Sequence, residues 1–77
     1  MIIINQDRDV AVSYRKGNII KLQDVIYNNS VIGINLFING RNVGTFDYIE
    51  DALNEIKAIY NYDYPYYIVN GFSSYNN

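Results

Sequence analysis

The stretch "VIGINLFINGRNVGTF", Val31 to Phe46, decides the fold. Val31 to Ile38 is rich in β-branched and aromatic residues, and Asn39-Gly40 is the strongest short signal for a two-residue hairpin turn, because both turn residues must take positive φ. A two-residue loop fixes the register. Ile38 is expected opposite Arg41, Leu36 opposite Val43, Ile34 opposite Thr45 and Gly33 opposite Phe46. Ile32, Ile34, Leu36, Ile38 and Val43 then share the core face, and Phe46 lies over Gly33 on the other face, covering the gap the glycine leaves.

Downstream, "FDYIEDALNEIKAIYNY" reads as a helix. Asp47 is the expected N-cap, with Glu50 three residues on, as in a capping box. Ile49, Ala52, Leu53, Ile56, Ile59 and Tyr60 form one apolar stripe at helical spacing. Glu50 and Asp51 favour the positive end of the helix dipole, and Lys57 the negative end. Upstream, Ile2 to Ile4 is a short strand, "NQDRD" a turn, and Val10, Val12 and Tyr14 alternate with smaller residues in a second strand. Arg15 to Asn18 is a turn in which Gly17 takes positive φ. Ile19 to Tyr27 is a third strand, ended by Asn28-Asn29-Ser30. The expectation is an α+β domain over residues 1–61: an antiparallel meander of four to five strands covered by one C-terminal helix. Residues 62–77 follow as an extended Tyr/Asn-rich tail, packing on the domain or on a partner subunit.

Seventy-seven residues hold one core, and a chain this short buries only about 60% of its unfolded surface. Such scaffolds lean on disulfides, metals, oligomerisation or very regular packing. With no Cys and no His, packing or a homo-oligomer remains. The net charge of −2 argues against double-stranded nucleic acid as the main partner. "MIII" is too short for a signal-peptide core or a membrane span, so a cytoplasmic protein is expected. Thirteen Ile, twelve Asn and nine Tyr, all with AT-rich codons, suggest a low-GC bacterium or one of its phages.

The chemistry available is narrow. Without His or Cys, the Ser-His, Cys-His and Cys/His-metal arrangements are excluded, and no Gly-rich phosphate loop occurs. Asp7 and Asp9 have the spacing of a calcium-loop opening but lack the third ligand and the turn glycine, so a solvated turn is the simpler reading. Glu50, Asp51 and Glu55 read as the polar face of the amphipathic helix, not as an acid/base pair. No enzyme and no cofactor are expected.

The positive feature is "NYDYPYY", Asn61 to Tyr67. Tyr62, Tyr64, Tyr66 and Ile68 alternate with Asp63, Pro65, Tyr67 and Val69, and the pattern runs on to Asn70-Gly71. Pro65 cannot donate a ladder bond, so this is an edge strand or a segment laid over a surface. Tyrosine combines area with a polar tip and is enriched at interfaces. In a simple meander the turns at Arg15–Asn18 and Asn39–Arg41 share one end of the sheet, and the helix returns the chain to that end. Arg15, Lys16 and Arg41 would then gather beside Tyr62, Tyr64, Tyr66 and Tyr67 as a ligand or partner site.

The opening "MIIINQDRDVAV" and the later "GTFDYIEDALNEI" resemble a group of small proteins from Firmicutes and their phages, which read M-x-I-x-x-Q-D/N-K/R-x-x-I/V-V at the start and G-x-Y/F-x-S/T-x-E-x-A near the end. Ile3, Gln6, Asp7, Arg8, Val10, Gly44, Phe46, Glu50 and Ala52 sit at matching places. The match spans residues 1 to about 61 and departs at Tyr48 and in the tail. Most such proteins have no assigned activity, so the resemblance speaks chiefly to fold. It also implies a phage or mobile-element product, for which countering host defence is a common role. The functional expectations are, in order, direct inhibition of a host defence protein, sequestration of a cyclic or linear nucleotide immune signal by an oligomer, and a structural or regulatory oligomer.

Overall fold

The computed structural model describes residues 1–69; the tail beyond Val69, including Asn70-Gly71, lies outside the described residues. The architecture is α+β, with strands β1 (Ile2–Ile4), β2 (Ala11–Ser13), β3 (Ile20–Tyr27), β4 (Ser30–Ile38) and β5 (Arg41–Phe46), helix α1 (Ile49–Tyr60) and strand β6 (Tyr66–Ile68). Among the described residues the strands form two three-stranded sheets, one ordered β2-β1-β6 and the other β3-β4-β5. The second is an antiparallel meander, but of three strands where four to five were expected, because β1 and β2 pair with each other and with β6 and do not join β3. In the first, β1 pairs antiparallel with β2 and parallel with β6.

The turns form where backbone chemistry requires them. Asn39 (φ 51°) and Gly40 (φ 83°) close the β4–β5 hairpin. Asn28 and Asn29, expected only to end a strand, also have positive φ (51° and 62°) and make a second two-residue hairpin turn between β3 and β4. Asn tolerates this region better than other non-glycine residues because its short amide bonds locally.

The β4–β5 register departs from the expected one partway along. Ile38 does face Arg41, but a bulge leaves Val43 as an extra residue, so Leu36 faces Gly44 and Ile34 faces Phe46. The Asn42 side-chain oxygen accepts the Gly44 N–H inside the bulge at 2.9 Å. The reason is visible in the spacing. Val43 and Phe46 are three apart, and an unbroken period-two strand sends them to opposite faces. One extra residue reverses the alternation, and both become buried, at 1% and 3% exposure. Phe46 thus belongs to the core face and does not cover Gly33. Ile32 is a second correction. An irregularity in the β3–β4 pairing leaves it without an opposite residue, and it is 56% exposed.

One core joins all layers: Ile3, Val12, Tyr14 and Val69 from the β2-β1-β6 side, Ile34, Leu36, Ile38, Val43 and Phe46 from the meander, and Ala52 and Ile59 from α1. Gln6 couples the sheets. Its backbone N–H bonds the Val43 carbonyl at 2.9 Å, while its side-chain amide accepts the Thr45 N–H at 2.6 Å and donates to the Thr45 carbonyl at 3.1 Å. The side chain continues the ladder along the β5 edge, and Gly44 leaves room for it.

Helix α1 starts one residue later than expected. Tyr48, with extended backbone, is the N-cap and makes no side-chain capping bond, so Asp47 does not cap. Glu50 and Asp51 do occupy the first turn and Lys57 the last. The buried line runs through Ala52, Glu55 and Ile59, while Ile49, Leu53 and Tyr60 are about half exposed. The helix is therefore rotated toward Glu55 relative to the stripe read from sequence. No helix among the described residues is long and apolar enough to cross a membrane.

Candidate functional site: a tyrosine cleft beside the Arg15–Asn18 turn

Strand β6 brings the tyrosines back to the start of the chain. The Pro65 carbonyl accepts the Ile2 N–H at 2.8 Å, and the Val69 N–H bonds the Ile4 carbonyl at 2.9 Å. Pro65 sits at the beginning of an edge strand, where its missing N–H costs no ladder bond. This pairing sets Tyr67 opposite Ile3 and Tyr66 opposite Ile2.

Tyr67 is the anchor of the group. Half buried, it donates its phenol proton to Glu55 Oε2 at 2.6 Å. Glu55 is only 8% exposed, so the helix carboxylate expected on the polar face is an interior acceptor. Burial, followed by the hydrogen bond and charge of Glu55 and a smaller effect from Tyr62, pushes the Tyr67 phenol well above its ordinary value. The Tyr62 ring meets Tyr67 edge-on with centroids 5.0 Å apart, and Tyr64 tilts against Tyr62 at 5.3 Å. Such pairs are worth about 0.5–1.5 kcal/mol beyond their buried area.

The two turns expected at one end do meet. The Asn39 side chain donates to the Ser13 carbonyl at 2.9 Å and to the Asn18 side-chain oxygen at 3.2 Å. Beside them opens a cleft of about 420 Å³, lined in part by Tyr14, Arg15, Lys16, Tyr62, Asp63 and Tyr64. The Lys16 ammonium also stands 5.2 Å from the centre of the Tyr60 ring, a cation–π distance. Four expected site residues, Arg15, Lys16, Tyr62 and Tyr64, thus come together. Three do not line the cleft. Arg41 lies across from Ile38 at the start of β5. Tyr66 is on β6 and 62% exposed. Tyr67 supports Tyr62 from behind.

Sequence reasoning missed Glu55 and Tyr60 as parts of this assembly. Glu55 lies three residues after Ala52 and four before Ile59, a spacing that marks the buried side of the helix.

Asp9 of the acidic turn is held internally. The Asn5 side chain donates to Asp9 Oδ1 at 2.8 Å and accepts the Asp9 and Val10 N–H groups, both at 3.0 Å. Among the described residues no cluster of three or more acidic, His or Cys side chains is placed to hold a metal ion. Compared with protein-family models, curated proteins and solved structures, the chain matches none at a significant level.

Proposed function

We propose that the chain is a non-enzymatic binding protein that docks on a partner protein through the surface around Arg15, Lys16, Tyr62 and Tyr64. The openness of the cleft carries this reading. Its volume of about 420 Å³ would suit a small ligand, but it opens broadly to solvent, whereas a small-molecule site encloses most of its ligand. A protruding loop of a partner needs no such enclosure. Tyrosine and arginine are the residues that dominate interface hot spots. The edge-on contact with Tyr67 holds Tyr62 in advance, which lowers the ordering cost of binding. Arg15 and Lys16 against a single Asp63 favour a partner segment with an acidic side chain beside an apolar one. The resemblance to small Firmicutes and phage proteins supports a host defence protein as that partner, with this chain as its inhibitor in the host cytoplasm.

The test uses two exposed positions, Tyr64→Ala and Arg15→Ala, in chains purified from phage-challenged host cells. Loss of the co-purifying host protein with an unchanged melting temperature is the expected result. Full capture by both variants overturns the reading.

A second reading is favoured by one juxtaposition, two cations next to two aromatic faces. Arg15 and Lys16 suit a phosphate, and stacking on Tyr62 or Tyr64 would add ~1–3 kcal/mol per base. In this form the chain sequesters a nucleotide immune signal. Native mass spectrometry of the same preparations separates the two. A retained nucleotide mass that disappears in Arg15→Ala supports the second, and a ligand-free chain joined to a host polypeptide supports the first.

A further inference from the structure

From the free edge of β3, we infer that the chain forms a two-fold dimer in which β3 pairs antiparallel with β3 of a second copy, centred on Gln23. Among the described residues, the meander order β3-β4-β5 leaves β3 with one paired edge and one open edge over eight residues. The Asn39 N–H bonds the Ile19 carbonyl at 3.0 Å, so by antiparallel alternation the odd-numbered residues of β3 turn their backbone groups toward β4. Ile20, Leu22, Asp24 and Ile26 turn theirs outward, leaving a row of donors and acceptors that is a ready template for another strand.

The side chains choose the occupant and the register. A two-fold axis normal to a sheet keeps its faces, so residue pairs across it must sum to an even number. Centring on Lys21 or on Asp24 sets like charges directly opposite, which is unfavourable. Centring on Leu22 leaves Ile26 and Tyr27, 66% and 64% exposed, beyond the paired region, and centring on Val25 leaves Ile19 and Ile20 beyond it. Centring on Gln23 covers them: Ile26 meets Ile20 of the second copy, and Tyr27 meets its Ile19, itself 72% exposed. The two central glutamine amides then face each other and can hydrogen-bond.

A cavity supports the same register. The outer face of the meander carries a groove of about 380 Å³, lined in part by Ile19, Lys21, Gln23 and Phe37. Tyr27 of the second copy, set opposite Ile19, is delivered to this groove. Each copy therefore presents both the exposed ring and a site for it. An aromatic side chain against a β-branched one is among the favourable cross-strand pairs. The Arg15–Tyr64 cleft takes no part in this pairing, so dimerisation and partner binding can be tested separately.

The chain has no cysteine, so a single introduced thiol reports the register. Gln23→Cys places the two sulfurs across a non-hydrogen-bonded pair, whose Cα separation of about 4.5 Å accepts a disulfide. Mild oxidation is expected to yield a covalent dimer of Gln23→Cys and none of Lys21→Cys. Asp24→Pro removes an outward N–H without touching the β4 ladder, and is expected to sediment as a monomer with its far-UV circular dichroism retained. Should Asp24→Pro not fold, the cysteine pair still decides. A wild-type chain that sediments as a monomer at its highest soluble concentration, equal cross-linking of both cysteine variants, or a strand from another protein on this edge overturns the inference.

Discussion

The Tyr67 hydroxyl and the Glu55 carboxylate meet at 2.6 Å, joining strand β6 to the buried side of helix α1. Tyr67→Phe keeps the ring, and with it the edge-on contact to Tyr62, but deprives an interior carboxylate of one hydrogen bond. The cost is expected at about 1–3 kcal/mol, since hydrogen bonds to charged groups exceed neutral ones and desolvation is not recovered. Urea denaturation of the two proteins measures it. A difference below about 0.5 kcal/mol would show that the bond contributes little.

The same phenol gives the fold an alkaline limit. Its folded pKa is raised above the ordinary 10.0 by burial and by Glu55. The unfolded chain therefore loses this proton first as pH rises, and binds fewer protons than the native state above pH 10. Stability from this source is fully present below pH 10 and declines above it. The stability gap between wild type and Tyr67→Phe is expected to be constant from pH 7 to 9 and to narrow above pH 10. A gap that widens with alkali contradicts the assignment.

Gly44 is explained by what lies over it. A Cβ there would stand 2.8 Å from Gln6 Cδ, and the Gln6 amide is held by the Thr45 backbone on both its oxygen and its nitrogen. Gly44→Ala must displace that amide, at an expected cost of about 1–3 kcal/mol from two lost hydrogen bonds. In a Gln6→Ala background the same substitution should be nearly neutral. A double-mutant cycle tests this, and additive losses would count against the bridge.

Ile32 and Ile34 separate the observed register from the one read from sequence. Ile34 is 6% exposed and Ile32 56%. Ile34→Ala is expected to cost about 2–5 kcal/mol, and Ile32→Ser to remain within about 0.5 kcal/mol, as at other surface sites. Equal losses at both positions, in thermal or urea unfolding, would restore the uninterrupted strand.

What could be read in advance follows the range of the interactions involved. Asn39-Gly40, the acidic first turn of α1 and the apolar alternation of β4 are local signals, and the meander and helix they imply are present. The bulge at Val43 depends on which face Phe46 can fill, and only the core decides that. The three-residue spacing of Val43 and Phe46 was nonetheless a clue in plain view. Asp47 failed as a cap because the chain leaves β5 extended through Tyr48. The coupling of the two sheets depends on Gln6 meeting Thr45 across 39 positions, which no window along the sequence contains. Half of the candidate site had a local basis: the turn at Arg15 and the turn at Asn39 had to be neighbours. Arg41 and Tyr66 fell away because side-chain direction at a strand end is set by register and edge position. Glu55 changed role because its partner is 12 residues ahead on another element.

The place of β1 has a consequence for how the molecule comes into being. Ile3 lies at the centre of the β2-β1-β6 sheet and pairs with both Val12 and Tyr67. A chain emerging from the ribosome can close the β3–β4 and β4–β5 hairpins and lay α1 on them while β1 has only β2 for company. One side of β1 stays open until Tyr66–Ile68 is synthesised, and loop closure across the whole domain must precede that pairing. Strand β6, made after helix α1, thus completes β1, and the Glu55–Tyr67 bond forms only once synthesis has passed Ile68.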